Sequence, residues 1–123
     1  LMASKFKKLI KKFGHAIDGL KLAVSEQVFI IFCGIGLLVF IAMFVFKVPL
    51  YEKVVLILTI TFIMTLELIN SRIERILDIF QPDQDLNVKI IKDISAAAVL
   101  LACLGAATIG ILIFWPYFRA LFF

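Results

Sequence analysis

The chain has 123 residues, 63% of them hydrophobic, with 13 phenylalanines, a mean hydropathy of +1.12 and a formal net charge of +4. Ordinary water-soluble domains are only about 45–50% apolar, so the composition excludes one and predicts a single all-α integral-membrane domain over residues 1–123. The positive charge is concentrated beside apolar segments, which makes a membrane the expected partner and nucleic acid not one.

Residues 4–24 come first. Phe6, Leu9, Ile10, Phe13, Ile17 and Leu20 recur at helical intervals with lysines between them, and Ser4 is available as an N-cap. The segment is predicted to be an amphipathic helix on the membrane surface. Its lysines, Lys8 and Lys11 among them, would meet anionic lipid head groups or the phosphates of a nucleotide. A cleaved signal peptide is not expected, because the lysine cluster stands far from the next apolar run and no small-residue cleavage site follows.

Three stretches are long enough to cross about 30 Å of hydrocarbon at about 1.5 Å per residue: residues 27–46, 54–72 and 94–114. The first is followed by a turn over Lys47–Lys53, with Pro49 as the helix breaker and Tyr51 at the interface. A second turn over Gln81–Asn87 separates spans two and three, so neighbouring spans must pack antiparallel. The third span carries Ala102, Gly105, Ala106, Ala107 and Gly110, small residues that let membrane helices approach closely, and it closes on the aromatic anchor Trp115-Pro-Tyr-Phe-Arg119. Cys33 and Cys103 both fall inside spans and read as small apolar packing residues. Ten of the 13 Lys and Arg residues lie before the first span or between the second and third, which places the N-terminus and the second loop in the cytoplasm.

Glu67 breaks this pattern. The residues before it, Val54 to Leu66, are uncharged, so its carboxylate lies at membrane depth, where an ionisable group costs roughly 2.5–3.5 kcal/mol by insertion scales and marks a functional site by default. At about 100° per residue, positions 67, 70, 74 and 78 fall near 0°, 300°, 340° and 20°. Glu67, Asn70, Glu74 and Asp78 therefore share one narrow stripe, which runs from within the bilayer to its cytoplasmic surface. Glu26, just before the first span, and Lys92-Asp93, just before the third, are expected at a similar depth to Glu74.

Carboxylates that face the compartment holding ATP suggest Mg²⁺ chemistry, because Mg²⁺ commonly takes one or two protein carboxylates together with phosphate oxygens. Glu74 and Glu26 are the candidate metal ligands. Glu67, deeper and less solvated, is placed to accept a proton from the hydroxyl of a membrane-embedded substrate. Lys92 would neutralise phosphate charge, and Asp93 would hydrogen-bond across to Asn70 or help hold the site together. The same residues would also serve as an interhelical polar network that fixes packing, as the proton-coupling site of a small oligomeric transporter, or in a non-catalytic scaffold. The sequence contains no Walker lysine loop, kinase glycine-rich loop or His/Cys metal spacing, and its one histidine, His15, reads as an interfacial aromatic.

The run Glu67-Leu-Ile-Asn70-Ser71-Arg-Ile-Glu74, with Asp78 one turn later and Lys92-Asp93 before Ala97-Ala98-Val99-Leu100, resembles the small prokaryotic integral-membrane lipid kinases, which include diacylglycerol kinase and undecaprenol kinase. Gly19-Leu20-Lys21, Glu26 with Phe29, and the order of surface helix then three spans support the resemblance over nearly the whole chain. It implies a homotrimer with active sites shared between subunits, transferring the γ-phosphoryl group of MgATP to a lipid hydroxyl. Diacylglycerol is the first expected acceptor and undecaprenol the competing one. By position, it implies that Glu67 is the catalytic base, that Asn70 orients the carboxylates, and that Glu74 and Glu26 hold the metal. Asp78, Lys92 and Asp93 would complete the shell around the nucleotide, with Lys8 and Lys11 as further phosphate contacts. The family usually has an arginine after the phenylalanine that follows its first glutamate, whereas this chain reads Glu26-Gln-Val-Phe29-Ile30-Ile31.

Overall fold

A computed structural model describes residues 1–83 and 85–123 and contains four helices in chain order. α1 spans Met2–Ala23, α2 Gln27–Val45, α3 Leu50–Phe80 and α4 Leu86–Phe122. The all-helical architecture expected from the apolar periodicity is present, with one N-terminal helix followed by three helices long and apolar enough to cross a membrane.

α1 starts two residues earlier than the sequence suggests. Leu1 occupies its N-cap position without a side-chain cap, so Ser4 lies inside the first turn and does not cap the helix. Residues 2–22 are exposed throughout, and Ala23 alone is buried. Both the apolar stripe and the lysines of α1 are therefore unpartnered among the described residues. The helix ends at Val24, and the hydroxyl of Ser25 donates to the Leu22 carbonyl at 2.6 Å.

The turn between α2 and α3 has a specific device. The Lys47 N–H donates to the Phe44 carbonyl and the Val48 N–H to the Met43 carbonyl, at 3.3 and 3.2 Å, the paired bonds of a Schellman helix ending. Such an ending needs a left-handed residue after the cap, and Lys47 supplies it with φ 54° although it is not glycine. Its usual apolar contact is here the protomer's tightest core: Met43 is 0% exposed, Val48 2%, and both pack with Leu56. Phe46 then lies against α4, its ring centroid 5.3–6.1 Å from those of Phe114, Tyr117 and Phe118. Pro49 is the N-cap of α3, so the turn is shorter than expected: Tyr51, Glu52 and Lys53 belong to the first turn of α3, where Glu52 complements the positive end of the helix dipole.

α3 lies between α2 and α4 and packs against both. Gly36 on α2 leaves room for α3, since a Cβ there would lie 3.0 Å from the Ile60 side chain. The hydroxyls of Thr59, Thr61 and Thr65 donate to carbonyls four residues back at 2.7–2.8 Å, which satisfies them within their own helix in an apolar setting. At about 1.5 Å per residue, the 31 residues of α3 rise about 46 Å, well beyond the thickness of the hydrocarbon, so its polar second half has room to project past it.

α4 is capped by Asp85, whose Oδ1 accepts from the Val88 N–H at 3.0 Å. It does not stop at the aromatic anchor. Pro116 lies inside it, and the helix continues to Phe122 with Phe118 and Phe122 stacked at 6.2 Å. Cys33 and Cys103 are half-buried and unpaired.

Candidate active site

The polar stripe of α3 lies at the end of the molecule opposite the Met43 core. The buried polar side chains among the described residues are Glu67, 7% exposed, and Asn70, 8% exposed. Glu74, one turn further, is half-buried. Asn70 donates from Nδ2 to Glu74 Oε1 at 3.5 Å and accepts at Oδ1 from Ser95 Oγ of α4 at 2.7 Å. Asp78, at the exposed end of the stripe, accepts from Lys92 of α4 at 2.5 Å. Glu67, Asn70, Glu74 and Asp78 thus occupy one face, and the lower part of α4 closes against it.

The face that α4 presents follows from its spacing. Val88 and Val99 are buried, Lys92 and Ser95 are half-buried, and the intervals of four, three and four residues put all four on one stripe. Asp93 is about 100° away from Lys92 on that helix. Its side chain pairs with Lys89 at 2.8 Å along the outside of α4, and both groups are largely exposed. The expected bond from Asp93 to Asn70 is therefore replaced by one from Ser95. The hydrogen bond to Asp93 holds the Lys89 ammonium above the usual lysine range.

Glu26 is also committed elsewhere. It occupies the N-cap position of α2 without capping it, and its carboxylate forms an ion pair with Arg72 of α3. Arg72 lies about 160° around α3 from Glu74, so Glu26 is anchored on a different face from the Glu74 carboxylate. The pairing of Arg72 was not foreseen from sequence. The sequence offers only a weak signal for it, since Arg72 is one of two cations, with Arg75, among the acids of this segment.

Lys8 and Lys11 lie on the exposed α1 and have no ion-pair partner among the described residues. Glu67 and Glu74 are likewise without a cationic partner, whereas Glu26, Asp78 and Asp93 each have one. Among the described residues no three Asp, Glu, His or Cys side chains converge as a metal cage. A donor set this sparse suits Mg²⁺ carried on phosphate oxygens, which needs one or two carboxylates, and it does not suit an all-protein site.

Three membrane-length helices and a buried acid–amide cluster between two of them define an integral membrane protein with a polar site at one end. The chain belongs to the prokaryotic diacylglycerol kinase family, whose model matches residues 14–114, and is accordingly a lipid kinase. The matched region contains the whole cluster, from Glu26 to Ser95, and begins after Lys8 and Lys11. No curated protein matches the chain at a significant level.

Proposed function

We propose that the protein transfers the γ-phosphoryl group of MgATP to the hydroxyl of diacylglycerol, giving phosphatidic acid, at a site centred on Glu67, Asn70 and Glu74. The observation that carries this reading is the burial of Glu67 two turns along the same face from Glu74. That arrangement gives one acid in the lipid zone and one toward the water-soluble donor. A membrane-embedded hydroxyl beside Glu67 gives up its proton to the Glu67 carboxylate as its oxygen attacks the γ-phosphorus, and ADP departs. Of the two carboxylates on this face without a cationic partner among the described residues, Glu74 is the one toward the water-soluble donor and would bind a phosphate-bound cation, and Mg²⁺, when bound, would draw charge from the phosphate oxygens. Asn70 orients Glu74. The Lys92–Asp78 pair holds α4 against α3 and keeps an ammonium group near the donor phosphates. Asp93 acts from the outside of α4.

Glu26, anchored on another face by Arg72, joins a metal site only beside a neighbouring copy. This agrees with the shared-site homotrimer that the sequence resemblance implies. The distribution of Lys and Arg supports a plasma-membrane location in a prokaryote with this end toward the cytoplasm.

The test is direct. Detergent-solubilised protein, given radiolabelled ATP and Mg²⁺, is offered diacylglycerol and undecaprenol in parallel. Labelled phosphatidic acid is the expected product, label in undecaprenyl phosphate alone would move the acceptor, and label in neither would overturn the reading.

A further inference from the structure

A serine or threonine within a helix usually turns its hydroxyl back onto a carbonyl three or four residues earlier. Thr59, Thr61, Thr65, Ser71 and Thr108 all do so here, and Ser25 does so just past the end of α1. Ser95 does not. Its hydroxyl crosses from α4 to α3 and donates to Asn70 Oδ1 at 2.7 Å.

The direction of that bond matters because the two ends of a carboxamide are chemically opposite: Oδ1 only accepts and Nδ2 only donates. Asn70 is buried, so water does not choose between its two orientations. With Oδ1 taken by Ser95, Nδ2 points along α3 toward Glu74 Oε1, 3.5 Å away. In the flipped orientation Oδ1 would face the carboxylate, and a long attractive contact would become a repulsive one. A hydroxyl at position 95 donates, and so selects the first orientation. A carboxylate, which only accepts, would attract Nδ2 and select the second. This is why Asp93 could not take over the bond without reversing the amide.

We propose that Ser95 is a positioning residue: by donating to Asn70 it fixes the amide so that its NH₂ group faces and holds the Glu74 carboxylate. The role rests on the assignment of Glu74 to the cation on the donor phosphates. The role requires no contact between the hydroxyl and either substrate. Its effect passes through Asn70, along the chain Ser95, Asn70, Glu74.

The experiment uses the full chain in detergent micelles, with Ser95→Ala, Ser95→Thr, Asn70→Ala and the double variant Ser95→Ala/Asn70→Ala. Loss of one net hydrogen bond corresponds to roughly a 3- to 10-fold change. Ser95→Ala is expected to raise the Mg²⁺ concentration for half-maximal lipid phosphorylation by that factor, with the KM for lipid unchanged, and Ser95→Thr is expected to recover most of it. In the Asn70→Ala background the same serine substitution should have no further effect. A penalty of equal size in both backgrounds would overturn the proposal, since Ser95 would then act by another route. The second readout needs no turnover: the ¹⁵N–¹H side-chain amide signals of Asn70 should shift in Ser95→Ala and in Glu74→Gln. Unmoved signals in Ser95→Ala would also overturn it. Shifted signals in a protein that phosphorylates neither lipid would support the positioning role and reject the function proposed above.

Discussion

The two ends of the three-helix unit are built on opposite principles. At the α2–α3 turn, Met43, Val48 and Leu56 interlock with Phe46, Phe114 and Tyr117 around a Schellman ending, and the contacts that hold the core are apolar. In the half of α3 that leads to α4, the buried groups include Glu67 and Asn70, and the helices meet through Ser95 and Lys92. Lipid is as apolar as a leucine, so the first end gains its stability from close packing and not from hydrophobic contrast. The second end gives up some of that packing to keep ionisable groups at membrane depth. Rigidity and chemistry are thereby separated along α3, and a substitution should show which end it belongs to.

Glu67→Gln should separate the two most sharply. Lipid phosphorylation should fall by about 10²- to 10⁴-fold, the range for a lost general base, while the unfolding midpoint in detergent stays at or above that of wild type. Glu74→Gln should cost about 10- to 100-fold at ordinary Mg²⁺, with partial recovery as Mg²⁺ is raised. Recovery is the diagnostic measurement, because a purely structural loss would not respond to the ion.

Met43→Ala attacks the other end. It should lower stability by about 2 kcal/mol or more through the cavity it leaves, and should reduce activity only in proportion to the unfolded fraction. Lys47→Gly should act in the opposite direction. A glycine at the left-handed position relieves a penalty of about 1 kcal/mol, part of which is offset by greater freedom of the unfolded chain, so a rise of a few tenths of a kcal/mol in unfolding free energy is expected.

The smallest effect belongs to the exposed Lys89–Asp93 pair. Because Asp93 raises the Lys89 pKa in the folded state, the contribution of the pair is fully present below the unfolded-state lysine pKa and is lost as pH rises through the folded value. Wild type and Lys89→Gln should therefore differ slightly in unfolding midpoint at neutral pH and converge in strong alkali. A large gap at neutral pH would show that the outside of α4 carries more of the site than its exposure suggests.

The α3 stripe was fully legible beforehand. Glu67, Asn70, Glu74 and Asp78 belong to one helix, and backbone geometry alone sets their angles. The helix ends were legible less well. Lys47 adopts a left-handed conformation that favours glycine, so its sequence signal was weak, and the start of α3 at Leu50 follows from that ending. Ser95 was hidden among alanines beside the more conspicuous Asp93. Its stripe, Val88, Lys92, Ser95 and Val99, was available as a periodic pattern, but nothing in the segment said which face of α4 meets α3.

The sequence by itself determined four helices, three of them of membrane length, an acidic stripe on the middle one and the family to which it points. These are matters of local periodicity and composition, which are fixed within each segment. Only the tertiary structure decided that Ser95 and not Asp93 bonds Asn70, that Glu26 is anchored by Arg72, and that Lys92 is joined to Asp78. Such contacts depend on how each helix is rotated about its own axis and how far it slides along its neighbour. A shift of one residue turns a helix by about 100° and exchanges one facing side chain for another.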